Sequence, residues 1–195
     1  PVRRSRRETE QLRRDVRRSV GIGSEELVVA HPVRAIQRKN IPAAIRLAEA
    51  VGATYWLLGP AEEGYGEELQ RLFSEAACKV VHHEWTDVEG IYAAADHIAF
   101  PSTWEGFGNP PIEAALYRKT VSVGDYPVGK ELRAFGFDWF DPTDSHGIAA
   151  ALAEPDSPSV SALLDNNERV ASENFSLGRM RNSLHQLLDG AGWLP

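Results

Sequence analysis

The residues best equipped for chemistry lie in one stretch, Pro101-Ser-Thr-Trp-Glu-Gly-Phe-Gly-Asn-Pro-Pro-Ile-Glu113. Gly106 and Gly108 let a backbone approach a ligand closely, and amides exposed where a helix begins favour an anion. Glu105 in the loop and Glu113 in the helix flank this turn, which is expected to enter a helix capped by Asn109. Carboxylates accept hydrogen bonds from hydroxyls and repel phosphate, so the pattern fits a ligand with phosphates in its middle and polyols at both ends. A nucleoside diphosphate sugar is such a ligand. A plainer reading stands beside it on the residues alone: Glu113 stabilises a helix N-terminus and Glu105 faces solvent.

A second segment, His31-Pro-Val-Arg34-Ala-Ile-Gln-Arg38-Lys39-Asn40, puts three cations just after the first expected strand. A diphosphate needs positive charge, and arginine engages it bidentately; the alternative is a solvated basic surface. His82, His83 and Glu84 are adjacent, so at a strand end their side chains diverge, which disfavours a metal site and leaves a loop near a base pocket. Asp125 and Glu131 are acids without a recognisable perturbing neighbour in the sequence. No G-x-G-x-x-G follows the first strand and no Walker lysine motif occurs, which disfavours an ordinary NAD enzyme or a nucleotide triphosphatase. The single cysteine, Cys78, excludes an internal disulfide and a cysteine-rich metal site. The tryptophans read as packing residues, except that Trp104 lies beside the proposed ligand.

Short apolar runs alternate with helical stretches in a way that positions these loops. Strands are expected at residues 27–30, 54–58, 79–82, 97–100 and 120–123, and helices at about 40–50, 67–77, 87–95 and 109–117. The pair Thr86 and Glu89 has capping-box spacing. This alternation predicts an α/β fold, a Rossmann-like doubly wound parallel sheet, with ligands bound beyond the carboxyl ends of the strands. Beyond it come short helices near 129–135 and 144–152, an edge strand at Trp139-Phe140, a helix opened by Ser157-Pro158, and a last helix over about 177–188. A chain of 195 residues holds one core of this kind. The expected organisation is a basic helix and linker-proximal segment at 1–24 and a nucleotide-sugar-binding domain with C-terminal helices at 25–195.

The first 18 residues carry eight arginines and three acids within a chain of net charge -7. Contact with nucleic acid or anionic lipid is one use of such a segment, but Leu12, Val16 and Val20 recur every four residues and read more simply as a helix. So thin an apolar stripe needs a partner surface, expected to lie outside the chain. No run approaches a membrane span and no signal-peptide core opens the chain, so the expectation is a soluble, cytoplasmic protein, with no nucleic-acid partner and membrane contact only through a parent protein.

The stretch Glu105-Gly-Phe-Gly-Asn-Pro-Pro-Ile-Glu113, with Ala95-Asp96-His-Ile-Ala-Phe-Pro101-Ser102 before it and Ala114 after it, resembles the paired-glutamate signature of the retaining family four glycosyltransferases. The chain is similar to the donor-binding, C-terminal half of their GT-B fold over about residues 13–190. By that resemblance Arg34 and Lys39 hold the donor diphosphate and stabilise the leaving nucleotide, while Glu105 with the amides of Gly106, Phe107 and Gly108 orients the sugar and its phosphate. Glu113 accepts from the ribose hydroxyls, His83 and Glu84 lie near the base, and Glu131 is a weaker candidate near the nucleotide. The implied reaction is sugar transfer with retained anomeric configuration, without a cofactor and without a divalent metal. Two stretches depart from the family pattern: Tyr117-Arg-Lys-Thr120 where a small residue and glycine are usual, and Gly124-Asp-Tyr-Pro-Val128 where paired glycines are common. A complete enzyme of this kind also needs an N-terminal acceptor-binding domain, in cis or as a separate subunit, so turnover by the chain alone is an open expectation. The alternatives are a noncatalytic nucleotide-sugar-binding or regulatory module and a GT-B-like nucleotide-sugar epimerase.

Overall fold

Four-residue runs of apolar and β-branched residues build the centre of the molecule, which in this computed structural model is described for residues 5–193. The strands β1 (Val28–His31), β2 (Thr54–Leu57), β4 (His97–Phe100) and β5 (Thr120–Val123) are buried along their whole length, while β3 (Val80–His82) is a partly exposed edge. Strands buried on both faces need no polar alternation, and the polar residues these runs do hold, such as His97, Thr120 and Ser122, are buried and bonded to one another. All pairings are parallel and the order is β3-β2-β1-β4-β5. The chain therefore builds outward from β1 in one direction and then, after β3, crosses back to build the other half. Order reverses between β1 and β4, and there the loops leaving the two strands part to form a crevice.

The helices α2 (Ile41–Ala50), α3 (Gly66–Glu75), α4 (Val88–Ala94) and α5 (Asn109–Leu116) supply the crossovers, followed by α6 (Pro127–Arg133), α7 (Ser145–Ala153), α8 (Pro158–Phe175) and α9 (Leu177–Gly190). Two helix starts differ from expectation. The cap of α4 is Asp87, whose carboxylate accepts from Gly90 N–H, so the Thr86–Glu89 box does not form. The cap of α5 is Gly108 at φ 110, which makes Asn109 the first helical residue and not the cap. The expected strand at Trp139-Phe140 reduces to a bridge between Phe140 and Ser122.

The basic helix α1 (Arg6–Ser19) finds its partner within the chain, which corrects the expectation of an outside surface. Ser5 and Glu8 close a capping box, and Val16 and Val20 are buried in the same core as the sheet, against α4. Arg13 and Arg17 reach Asp96, at the entry to β4, at 2.6 and 2.8 Å. Part of the positive charge that drew attention in the sequence is thus spent inside the fold. Arg3 and Arg4 lie outside the described residues. No described helix is long and apolar enough to cross a membrane.

Candidate functional site

Both chemistry-bearing segments leave the strands that flank the crevice. After β1 the chain makes a 3-10 turn at Gln37–Lys39, and Asn40 then takes a left-handed conformation at φ 54 that starts α2. The loop after β4 is stitched to this turn: Thr103 N–H donates to the Arg38 carbonyl at 2.9 Å, and the Asn40 amide donates to the Pro101 carbonyl at 3.2 Å. These bonds bring two cations onto one acid. Lys39 Nζ lies 2.5 Å from one Glu105 oxygen and an Arg38 nitrogen 3.3 Å from the other. Glu105 is 7% exposed, so its charge is taken from water and made tolerable by its partners. The cations also sit over rings, Lys39 over Phe100 and Arg38 over Trp104, with Trp104 itself exposed.

Behind Lys39, His31 is fully buried, with Nδ1 paired to the Tyr55 hydroxyl at 2.9 Å. Burial, and then the Lys39 charge, push its pKa down to about 3, so it is neutral. Arg34 does not join this group. Ala35 pairs with the chain after β2 through its N–H to the Pro60 carbonyl and its carbonyl from Glu62 N–H, and this places Glu62 beside Arg34. The two form an exposed ion pair at 2.5 Å.

The glycine loop needs its glycines unequally. Gly108 requires its residue type, because φ 110 is costly for any side chain and a Cβ there would come within 3.1 Å of the Tyr126 hydroxyl. Gly106 has open space where a side chain would go. The helix start offers fewer amides than a generic one, since Pro110 and Pro111 have no N–H. The N–H groups at this helix start are therefore those of Gly106, Phe107, Gly108 and Asn109. Phe107 is half exposed with its ring edge-on to Phe175 of α8.

Glu113, one turn into α5, is half-buried and accepts a hydrogen bond from the Tyr92 hydroxyl at 2.9 Å. Tyr92 lies on α4, stacked on Tyr117. Burial and then the Glu113 charge raise its pKa, so it remains a donor. A cleft of about 760 Å³ opens beside Glu113, walled by Phe107, Phe135, Phe175 and Met180. His83 and Glu84, after β3, are exposed side chains; the His83 carbonyl is already taken by the Trp56 indole N–H at 3.2 Å. Glu131 is exposed on α6. Among the described residues no group of three His, Cys, Asp or Glu side chains is placed to hold a metal ion.

Three contributors escaped the sequence reading: Tyr92, which fixes Glu113; His31, behind Lys39; and Tyr126, in the loop after β5. Gly124 in that loop has no room for a Cβ, which would run into the Ser102 carbonyl, so the exit of β5 lies directly against the glutamate loop. Tyr126 is completely buried under Gly108, and its hydroxyl has no hydrogen-bond partner among the described residues. Two signals pointed to its loop: its place beyond the carboxyl end of the fifth strand, and the departure at Gly124–Val128 from the paired-glycine pattern.

Comparison with known proteins identifies this architecture. The family model described as glycosyl transferases group 1 matches residues 34–154. Curated relatives include the O-antigen chain mannosyltransferase RfbU of Salmonella typhimurium, 31% identical over 45% of this chain, and the mannosylglucosylglycerate synthase of Petrotoga mobilis, 27% identical over 61% of it. The chain spans only 26% and 36% of those two proteins. Among solved structures, HepE of Anabaena in complex with UDP matches with a TM-score of 0.76 and 23% identity over 96% of this chain and 54% of its own. The C-terminal domain of a group 1 glycosyl transferase, LpcC of Francisella tularensis, matches with a TM-score of 0.64 and 18% identity, covering 87% of this chain and 93% of that domain. The structural likenesses carry the fold, and the family match covers more than half of the chain, so this chain belongs to the glycosyl transferases group 1 family.

Proposed function

We propose that this chain is the half of a retaining glycosyltransferase that grips a nucleoside diphosphate sugar, and that a second, acceptor-binding domain forms the opposite wall of the crevice. The observation that carries the reading is Glu105, a buried carboxylate held by two cations where the strand order reverses. The cations are what a departing diphosphate requires, since charge on the leaving group grows in the transition state and donors fixed in advance stabilise it without reorganisation. Lys39, with Arg34 and Arg38 of the same turn, supplies that charge. The N–H groups of the glycine loop add dipoles, and the carboxylate of Glu105, turned toward the sugar, accepts from its hydroxyls. Glu113, oriented by Tyr92, accepts from the ribose. Departure of the diphosphate and attack of the acceptor on the same face of the sugar then retain its configuration. The glutamates serve in this scheme as hydrogen-bond acceptors, unlike the flanking carboxylate pair of a glycosidase.

The second domain is read from length: the chain corresponds to about half of the HepE chain and to nearly all of the separate LpcC domain. HepE in complex with UDP and with UDP-glucose supports a uridine donor among the candidates, and the mannosyltransferases support a hexose. Calorimetric titration of the chain with UDP, GDP and ADP, free and sugar-linked, tests the reading. Selective binding by one base, weakened about tenfold by Glu113→Ala, is expected. Failure of every nucleotide to bind would overturn it.

A further inference from the structure

A hydroxyl buried without a partner destabilises a fold, and Tyr126 keeps one beneath the glycine loop. Its side chain is completely buried, and among the described residues its hydroxyl makes no hydrogen bond. The surroundings are cut to fit the ring. A Cβ at Gly129 would press on it at 3.2 Å, and one at Gly108 would stand 3.1 Å from the hydroxyl, so both glycines leave it room. The ring meets Phe100 edge-on at 6.4 Å, and Phe100 carries the Lys39 ammonium on its face, 5.3 Å from the ring centre. Phenylalanine would keep these contacts without the stranded oxygen. The carboxylate that bears on the hydroxyl is Glu105: burial first, and then the Glu105 charge, raise the pKa of Tyr126, which therefore stays protonated and able to donate.

Resting on the donor-grip reading above, we propose that Tyr126 is a positioning residue whose hydroxyl donates to the Glu105 carboxylate in the donor complex and so aims that carboxylate at the sugar. In the free chain Lys39 and Arg38 occupy both Glu105 oxygens, and the hydroxyl stands idle. A bound diphosphate competes for the same cations, which loosens their hold and lets the carboxylate turn to the tyrosine. A neutral donor then fixes its orientation without drawing it away from the sugar hydroxyls. The loop after β5 thereby becomes part of the sugar subsite, while the nucleotide itself makes no use of Tyr126.

Tyr126→Phe removes the oxygen and little else. The unaltered chain and this variant are titrated calorimetrically with UDP, GDP and ADP and with UDP-glucose, GDP-mannose and ADP-glucose, beside melting curves of the ligand-free proteins. The variant is expected to melt at or above the unaltered chain, to bind the preferred free nucleoside diphosphate within about twofold of it, and to bind the sugar-linked form about fivefold more weakly. A merely structural tyrosine would move stability, or both ligand forms alike, and not the difference between them. With Glu105→Ala already present, Tyr126→Phe is expected to cause no further loss, because its partner is gone. Equal affinity of the two proteins for the sugar-linked form, an equal loss for both forms, an undiminished loss in the Glu105→Ala background, or a lower melting temperature would each overturn the assignment while the donor-grip reading stands. Binding of no nucleotide by the unaltered chain would overturn that reading and the assignment with it.

Discussion

Opposite ends of the sheet each hold a carboxylate between two cations, and they are built to different ends. At the amino end Asp96 takes Arg13 and Arg17, and one of its oxygens also accepts from Val28 N–H. Arg17, 1% exposed, gives its other donors to the carbonyls of Ala94, Gly23, Ser24 and Glu26. Lys119 caps the Ala95 carbonyl nearby, and burial lowers its pKa to about 8. Every partner there is a fixed part of the chain, so the network is closed. At the carboxyl end Lys39 and Arg38 share Glu105, rest on ring faces, and keep donors to spare. The buried histidines repeat the contrast: both nitrogens of His97 meet hydroxyls, of Thr120 and Ser122, whereas Nε2 of His31 has no partner among the described residues. A closed ionic network holds structure in place, and an open one can exchange a partner for a ligand.

The largest effect expected of a single substitution is at the closed end. Asp96→Asn removes the charge facing two arginines and turns an amide against an N–H donor. A loss of about 3–5 kcal/mol in denaturant unfolding is expected, as for other broken buried pairs; a loss under about 1 kcal/mol would show that the amino end is no more committed than the site.

Acid acts on both ends through the histidines. Burial holds His31 and His97 down to about 3 when folded, against an ordinary value near 6.5. Between these values the unfolded chain binds protons that the folded chain refuses, so stability falls as pH drops from about 6.5 toward 3, with a slope of up to two protons. Urea titrations across this range check the slope, and His97→Gln is expected to remove about one proton from it.

Smaller effects belong to the open end. Tyr92→Phe loses one hydrogen bond to Glu113, expected to cost about 1 kcal/mol in nucleotide affinity with little change in melting. Glu105→Gln is expected to cost about 1–3 kcal/mol, less than Asp96→Asn, because the amide oxygen still accepts from Lys39 and the part-exposed Arg38 turns toward solvent. It also loosens Arg38, so affinity for a bare nucleoside diphosphate is expected to rise by about threefold, near the value of one part-exposed ion pair such as Arg38–Glu105. A large loss of stability in Glu105→Gln would mean that the open end, too, is structural.

The sheet was legible because its strands are short runs of apolar and β-branched residues set between helical stretches, and β4 and β5 fall at the expected residues. The glutamate loop was legible because all its parts are contiguous. What could not be read depends on partners distant in the chain. Arg17 and Asp96 are 79 residues apart, so nothing local distinguishes a buried structural arginine from a surface one. The partner of Arg34 could not be read because Glu62 lies 28 residues away in the chain. Caps shifted by one residue, from Thr86 to Asp87 and from Asn109 to Gly108, because adjacent residues compete for the same turn and backbone dihedrals decide between them. Tyr126 was hidden for the same reason: its place beneath Gly108 arises only when the loops after β4 and β5 meet.

The most direct test is to follow backbone amide resonances of the chain while UDP, GDP and ADP are added in turn. One of them is expected to shift the amides of Arg38, Lys39, the 105–109 loop and Glu113, and to leave those around Arg13, Arg17 and Asp96 in place. Shifts centred on the Asp96 end, or none with any of the three nucleotides, would contradict it.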